Sequence, residues 1–222
     1  MDHRKQPRES NRVVITRGVI GAAMIVEVVQ ESQPDLESYA RVPISFEVRE
    51  IVGVIAGASG AARYRLETRP VRPAWLKEYD ALDGGPRAWP ERFDIAAWTF
   101  FAARVDGDRV GGAAVVYQAP DVDMLRGRDD TAVLWDIRVA PAVRGRGVGT
   151  ALLEAAERWA AANGARWLEV ETQNINAPAC RFYARNGFEL VSVDPNAYPE
   201  LPNEMQLLWR KPLGPEPDGP AG

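Results

Sequence analysis

The feature that most constrains the fold is a glycine-rich loop that joins an apolar run to an amphipathic stretch. Residues 132–139 are a compact apolar run, typical of a buried strand, and the loop between Arg144 and Gly149 follows them. From Val148 onward, apolar residues recur at helical spacing. Where a strand leads through glycines into a helix, free backbone N–H groups and the positive end of the helix dipole face the loop. This arrangement predicts an anion-binding site.

The spacing of the glycines distinguishes between kinds of phosphate-binding loop. A Walker loop needs the run Gly-x-x-x-x-Gly-Lys-Ser/Thr, which the chain does not contain. A dinucleotide-binding fingerprint that starts at Gly145 or Gly147 needs a third glycine where Thr150 or Leu152 stands. The remaining pattern is Arg-x-x-Gly-x-Gly, which is filled by Arg144, Gly147 and Gly149. From the loop alone, an ordinary glycine-rich turn between a strand and a helix stays open as the alternative.

This loop resembles the acetyl-CoA pyrophosphate loop of the GNAT superfamily of N-acetyltransferases. A second motif, Asn176-Ala177-x-x-x-x-Phe182-Tyr183-x-x-x-Gly187-Phe188, follows at the distance at which that superfamily has its own second motif. The string from Glu171 to Tyr183 is similar to the streptothricin acetyltransferase branch. Two motifs in the right order, separated by a predicted helix and a predicted strand, favour the superfamily over a coincidental match.

The resemblance implies an α+β fold in which helices flank a mixed, mostly antiparallel sheet. Its two central parallel strands, here residues 132–139 and 166–172, are expected to splay apart, so that the pantetheine arm of acetyl-CoA pairs with the first of them. Acetyl-CoA is the implied co-substrate, and no metal is expected. The residues expected to bind acetyl-CoA are Ile137, Arg138 and Val139 on the strand, Arg144, Gly145, Arg146, Gly147, Val148, Gly149 and Thr150 in the loop, and Asn176 in the second motif.

Acetyl transfer to an amine needs three groups: one that removes the proton of the amine, one that donates to the oxyanion and one that donates to the departing thiolate. A backbone N–H group of residues 137–139 is expected to serve the oxyanion. Tyr183 lies seven residues after Asn176, where the superfamily carries the tyrosine that donates to the thiolate. The alternative for Tyr183 is an aromatic side chain that fills the core.

The proton acceptor is expected to be a carboxylate, because the single histidine, His3, lies in a polar terminal segment. Glu171 stands where protein N-terminal acetyltransferases of the superfamily place a glutamate base, and Asp136 on the other splayed strand is the second candidate. Either residue can instead be a structural carboxylate. Cys180 has no histidine partner, so a buried cysteine is favoured over a covalent nucleophile.

Composition narrows the class of protein. A chain of 222 residues with 46% hydrophobic residues can bury one core, so a single domain is the default. A net charge of −4 argues against nucleic-acid binding, which favours a basic face. One cysteine excludes an internal disulfide and suits a reducing cytoplasm, and one histidine argues against a histidine-rich metal site. The sequence carries no signal for the oligomeric state, and a homodimer stays open.

The termini are predicted to lie outside the folded domain. We expect a disordered extension over residues 1–22, one N-acetyltransferase domain over 23–211 and a disordered tail over 212–222. The apolar stretch 13–29 is interrupted by Arg17, and the uncharged run 18–26 that remains is too short to span a membrane. A strand that starts near Met24, itself an alternative translation start, fits this stretch better than a signal peptide does.

The remaining segments are predicted as strands and loops. Strands are expected at 46–54 and 62–68, in a hairpin of 98–105 and 109–118, and at 188–193 and 204–210. The proline-rich segment 70–90 and the segment 194–203 are predicted as loops that can face the substrate. A helix is expected to start after Pro34.

These features predict an acetyl-CoA-dependent N-acetyltransferase that moves an acetyl group directly to a primary amine of a small cationic molecule. Carboxylates at Asp136, Glu169 and Glu171 are expected to attract the cation, and Tyr198 is expected to add an aromatic wall. An acetyltransferase acting on protein N termini or lysines and a catalytically silent acyl-CoA sensor stay open as alternatives.

Overall fold

Most of the strands belong to one mixed sheet. A computed structural model describes residues 13–20, 24–57 and 63–214 of the 222-residue chain. The strands in these residues are β1 (Val13–Ile20), β2 (Met24–Glu31), β3 (Phe46–Ala56), β4 (Tyr64–Lys77), β5 (Trp98–Val105), β6 (Asp108–Tyr117), β7 (Thr131–Val139), β8 (Trp167–Gln173), β9 (Glu189–Asp194) and β10 (Gln206–Pro212). Eight of them form a sheet in the order β1-β2-β5-β6-β7-β8-β10-β9, and β3 and β4 form a separate ribbon.

The central strands alternate their apolar side chains between the two faces of the sheet. Phe101 on β5 and Val115 on β6 belong to the core on one face, whereas Phe100 and Val116 belong to the core on the other. Successive side chains of a strand point to opposite faces, so these two strands, buried on both faces, divide the interior into two clusters. The turn between them contains Gly107 in the left-handed region, as the predicted hairpin requires.

The long helix that follows the glycine-rich loop covers one face of the sheet. The helices are α1 (Leu36–Ala40), α2 (Asp80–Asp83), α3 (Trp89–Arg92), α4 (Val148–Ala162) and α5 (Ala177–Arg185), with short 3₁₀ turns between several of them. α4 packs on β5, β6 and β7, and its buried side chains Leu152, Ala155 and Ala156 lie on one face. This is the apolar face that the helical spacing predicts.

The gap between β7 and β8 positions the candidate site. The two strands are parallel and pair only where Thr131–Val133 faces Trp167–Glu169. Beyond Val133, β7 remains paired with β6 through a bulge: Leu134 faces Val115 and Asp136 faces Ala114, which leaves Trp135 as the extra residue. A bulge bends a strand and redirects its side chains. The predicted α+β fold with two splayed parallel strands is therefore confirmed.

The β3–β4 ribbon covers the open end of this gap. The backbone N–H of Val52 donates to the carbonyl of Asn174 at 2.8 Å, and Arg181 forms an ion pair with Glu50 at 2.8 Å. Phe46 and Val48 of β3 form a small buried cluster with Ile175, which lies just before α5. The ribbon is thus attached to the segment that joins β8 to α5.

Several predicted segments differ from the structure. Residues 70–77, predicted as part of a loop, continue β4 because they pair with β3 through Trp75 and Lys77. The rest of that predicted loop forms short helical turns in which Trp89 is buried. Val13–Ile20, placed in the predicted disordered extension, pair with β2, and Pro212, placed in the predicted tail, ends β10. Residues 1–12, 21–23, 58–62 and 215–222 lie outside the described residues; they include His3 and the first residue of the predicted strand 62–68.

Candidate active site

A cavity of about 590 Å³ occupies the gap between β7 and β8. The cavity extends from the glycine-rich loop to the β3–β4 ribbon, where Phe46 and Tyr79 contribute to its wall. Among the predicted site residues, Arg146 and Val148 do not line it, and Val148 is buried in the core. The predicted residues that do line it are Asp136, Ile137, Arg138, Val139, Arg144, Gly145, Gly147, Gly149, Thr150, Glu171, Asn176 and Tyr183.

The glycine-rich loop brings free backbone donors to one end of the cavity. Gly145 and Gly147 have φ values of 74° and 88°, in the left-handed region that favours glycine. Gly147 is the N-cap of the 15-residue helix α4 and supplies no capping side chain. The first N–H groups of a helix have no partner within it, and Gly149 and Thr150 of this first turn line the cavity. This end therefore fits a pyrophosphate group, which accepts hydrogen bonds and carries negative charge.

The side chain of Arg144 holds the wall rather than projecting as a free cation. Its Nε donates to the carbonyl of Val139 at 2.8 Å, and its two Nη atoms donate to the carbonyls of Ser45 and Pro43 at 2.9 Å each. Burial lowers the pKa of this guanidinium. Arg144 thus ties the end of β7 to the segment that precedes β3.

Tyr183 lies deep in the cavity wall. It is 3% exposed, and its ring packs edge-on against Phe182 and Phe188, with centroids 5.2 and 5.3 Å away. Burial, with a smaller contribution from the charge of Asp136, raises the pKa of Tyr183 well above its ordinary value. Asn176 caps α5, because its Oδ1 accepts from the N–H of Ala179 at 3.1 Å. Because its pKa is raised, the Tyr183 hydroxyl is protonated and can donate a hydrogen bond, and Tyr183 lies two helical turns after Asn176.

Glu171 lies on the opposite strand with neutral hydrogen-bond partners. Its Oε1 accepts from the hydroxyl of Tyr198 at 2.5 Å, and its Oε2 accepts from Nε2 of Gln206 at 2.6 Å. In the described part of the chain, no lysine or arginine forms an ion pair with it. The carboxylate is therefore oriented, and its charge is not neutralised by the protein residues around it.

Asp136 has a different environment. Its carboxylate accepts two hydrogen bonds from Arg138, at 2.7 and 2.9 Å, and one from the hydroxyl of Tyr39 at 2.7 Å. Arg138 also donates to Asp80 at 2.8 Å. Burial on its own would lower the pKa of Arg138. The carboxylates of Asp136 and Asp80 outweigh this effect, so the pKa of Arg138 is raised. Gly112 allows this packing, since a Cβ there would lie 2.5 Å from the ring of Tyr39.

The three carboxylates expected to attract the cation do not all face the cavity. Glu169 is completely buried and paired with Arg128 and Arg210, on the part of β8 that still pairs with β7. Asp136 is paired with Arg138, so Glu171 alone keeps an uncompensated charge on the cavity wall. Tyr198 does contact the site, but through its hydrogen bond to Glu171 rather than as part of the cavity wall.

Cys180 is a buried helical residue, as the sequence favours. It is 1% exposed, and its Sγ lies 3.6 Å from Oγ1 of Thr172. Burial raises the pKa of the thiol to about 11. A thiol that stays protonated at neutral pH is a weak nucleophile.

Several cavity residues were not identified from the sequence. Trp135 packs against Phe93 and Trp98, and it also lines the cavity. Ile44, Phe46 and Tyr79 reach the cavity because the ribbon folds over β8. That contact joins segments more than 90 residues apart, and no local pattern in the sequence signals it.

Two kinds of feature are absent from the described residues. These residues contain no group of three or more His, Cys, Asp or Glu side chains arranged to hold a metal ion. Their helices are all too short or too polar to cross a membrane.

Comparison with known proteins agrees with this geometry. The model of the Acetyltransferase (GNAT) family matches residues 62–188. Streptothricin acetyltransferase of Streptomyces lavendulae is 33% identical over 74% of this chain and 82% of its own length. Streptothricin acetyltransferase A of Bacillus subtilis (strain 168) is 45% identical over 35% of this chain, a match that spans only 46% of that protein.

A solved structure supports the fold. The putative streptothricin acetyltransferase from Bacillus anthracis str. Ames, in complex with acetyl coenzyme A, superposes with a TM-score of 0.67 at 22% identity. The superposition covers 83% of this chain and 98% of that one. Acetyltransferases of the GNAT family use acetyl-CoA, and the glycine-rich loop and the gap beside β7 fit that co-substrate. The chain therefore belongs to the GNAT family of acetyltransferases, near its streptothricin acetyltransferase branch, and is an acetyl-CoA-dependent N-acetyltransferase.

Proposed function

We propose that the enzyme transfers the acetyl group directly to a primary amine of a small cationic molecule. The observation that carries this proposal is the environment of Glu171, a carboxylate on the cavity wall whose hydrogen-bond donors are all neutral. An uncompensated carboxylate attracts an ammonium group and orients it before reaction. The similarity to streptothricin acetyltransferases supports the same class of acceptor.

Acetyl-CoA supplies an acetyl thioester, and two parts of the chain would hold it. The backbone N–H groups at the start of α4 would bind the pyrophosphate. The backbone of Ile137, Arg138 and Val139, on the edge of β7 that faces away from β6, would pair with the pantetheine arm. One N–H group of this segment would then donate to the oxyanion of the thioester carbonyl.

We assign proton removal to Glu171 and thiolate stabilisation to Tyr183. The carboxylate of Glu171 receives the proton of the ammonium, directly or through one water molecule, and the free amine forms the new C–N bond. As the C–S bond breaks, its electron pair stays on sulfur, and the hydroxyl of Tyr183 donates a hydrogen bond to the thiolate. The nitrogen, now bonded to the acetyl carbon, releases its second proton to solvent and becomes the amide. Because the pKa of Tyr183 is raised, the hydroxyl enters the reaction protonated.

Asp136 is better suited to hold Arg138 and Tyr39 than to accept a proton. Three hydrogen bonds already occupy its carboxylate, and protonation would break a buried ion pair. We therefore propose that Glu171, rather than Asp136, is the base.

Release of free thiol from acetyl-CoA, measured against a panel of amines, tests the proposal. Streptothricin-like compounds and small polyamines should react faster than peptides with a free N-terminal amine or an accessible lysine. A preference for peptides would contradict the acceptor class and leave the acetyltransferase assignment intact. Tight acetyl-CoA binding without turnover on any amine would instead favour an acyl-CoA sensor.

A further inference from the structure

Tyr79 lines the cavity close to the segment that orients Glu171. Tyr79 is the second residue after β4, and its ring packs against Phe46 with centroids 6.0 Å apart. Both rings line the cavity, as does Glu171. Glu204, which accepts the hydrogen bond of the Tyr79 hydroxyl, lies two residues before Gln206, which donates to Glu171, so Tyr79 belongs to the acceptor side.

The hydroxyl of Tyr79 is fixed by a buried ion pair. It donates to Oε2 of Glu204 at 3.0 Å, and the other oxygen of Glu204 pairs with Nζ of Lys77. The side chains of Lys77 and Glu204 are only 12% and 8% exposed. Nζ of Lys77 also lies 4.8 Å from the centroid of the Tyr79 ring. The ring is therefore held at its hydroxyl end and along one face.

The backbone beside Tyr79 is fixed by a second ion pair. Asp80, the next residue, accepts from Arg138 at 2.8 and 3.2 Å, and Arg138 is 2% exposed. The two pairs reach different parts of the molecule, because Glu204 precedes β10 and Arg138 lies on β7. An aromatic side chain with so many fixed contacts loses little freedom when a ligand packs against it.

We infer that Tyr79 is a substrate-positioning residue: its ring supports the carbon chain that carries the acceptor amine while Glu171 takes the ammonium group, and the Lys77–Glu204 and Arg138–Asp80 pairs hold the ring in place. This inference rests on the proposed function. Burial and the charge of Glu204 raise the pKa of Tyr79, so its hydroxyl remains a donor to Glu204 throughout the working pH range.

Steady-state kinetics of two Tyr79 variants test the inference. Tyr79→Leu removes the ring and should raise KM for the amine by roughly tenfold or more, because the loss of one apolar contact is worth about that factor. KM for acetyl-CoA should stay within about twofold of the wild-type value. Tyr79→Phe keeps the ring and loses only the hydrogen bond to Glu204, so its effect on the amine KM should be smaller and in the same direction.

A matched control is Tyr117→Phe. Tyr117 also donates from its hydroxyl, to the carbonyl of Asp129 at 2.7 Å, but it does not line the cavity. This variant should leave both KM values unchanged. If Tyr79→Leu does not fold, Tyr79→Phe and calorimetric titration of the amine into the CoA-bound enzyme carry the test.

The outcomes separate this inference from the proposed function. Wild-type turnover on cationic amines, together with an unchanged amine KM in folded Tyr79→Leu, overturns the role of Tyr79 alone. An equal rise of the acetyl-CoA and amine KM values also overturns it, because that result indicates a general disturbance of the cavity. Absence of wild-type turnover on every cationic amine removes both proposals.

Discussion

The hydroxyl of Tyr198 lies 2.5 Å from Oε1 of Glu171 and donates a hydrogen bond to it. Tyr198 belongs to the segment between β9 and β10, whereas Glu171 lies on β8. Because β10 pairs with both β8 and β9, the last strand of the chain places this segment beside the carboxylate. The orientation of the proposed base therefore depends on the C-terminal strands as well as on β8, which carries it.

Replacing Glu171 should abolish most of the turnover. Glu171→Gln keeps the shape of the side chain and removes its charge, so kcat should fall by roughly 10²–10⁴-fold, the usual contribution of general base catalysis. Tyr198→Phe keeps the charge and removes one donor, so its effect should be smaller. A Glu171→Gln enzyme with wild-type kcat, measured by thiol release, would show that another group accepts the proton.

Replacing Tyr183 should affect the chemical step more than binding. Tyr183→Phe keeps the ring between Phe182 and Phe188 and removes the donor, so kcat should fall by roughly 10²–10⁴-fold with little change in KM. Thermal unfolding serves as the control. A loss of stability without the kinetic defect would indicate that Tyr183 only fills the core.

Replacing Gly147 should prevent acetyl-CoA from binding. Gly147→Glu puts a negative side chain beside the predicted pyrophosphate position and strains a residue with φ of 88°. Gly107→Glu is the matched control, because Gly107 has φ of 89° in an open turn with no atom within 4 Å of an added Cβ. Calorimetry should show lost affinity only in the first variant; equal affinities in two folded variants would contradict the predicted cofactor site.

Cys180 should be dispensable for turnover. Direct transfer needs no covalent enzyme intermediate, so Cys180→Ala should retain wild-type kcat within about threefold. The buried thiol, with a pKa near 11, should react with alkylating reagents at neutral pH only after the protein unfolds. Rapid alkylation of the folded enzyme that also stops turnover would be evidence for a covalent route.

Stability at acid pH should depend on Glu169. Burial alone would raise its pKa, but hydrogen bonds from Arg128 and Arg210 outweigh burial and lower it. A carboxylate whose pKa is lower in the folded protein than in the unfolded chain stabilises the fold at pH values above its unfolded pKa. This contribution is lost as the pH falls through its folded pKa. Glu169→Gln should therefore lower Tm near pH 7 by more than it does near pH 3.

The free energy of unfolding lost in Glu169→Gln depends on how exposed its two arginine partners are. Removing one partner of a buried ion pair costs roughly 3–5 kcal/mol. The side chains of Arg128 and Arg210 are 26% and 32% exposed, so the cost should fall at or below about 3 kcal/mol. An equal loss of Tm at both pH values would contradict the coupling of Glu169 to acid stability.

The part of the site that depends on local sequence was predictable. The strand, glycine loop and helix from Thr131 to Ala162 carry their signals within one continuous segment: apolar residues, glycines that adopt positive φ and helical spacing. The same holds for α5, whose cap Asn176 and buried face lie within about ten residues of each other.

The rest depends on contacts between distant segments. Tyr39 reaches Asp136 across 97 residues and Tyr79 reaches Glu204 across 125 residues, so the sequence around each residue contains no record of its partner. For this reason Asp136 could be recognised as a candidate carboxylate, but the ion pair that neutralises it could not. The bulge at Trp135 is likewise invisible locally, since it exists only relative to the register of β6.

Among the described residues that line the cavity, Glu171 is the carboxylate without a cationic partner, and this has a consequence for the regiochemistry of the proposed reaction. One Glu171 can receive one ammonium group, while the neighbouring acids Asp136 and Glu204 are already satisfied by Arg138 and Lys77. A polyamine would thus present its nitrogens one at a time and leave the others in water. The nitrogen on the longest unhindered arm would enter first, and the product would carry one acetyl group at a defined nitrogen atom.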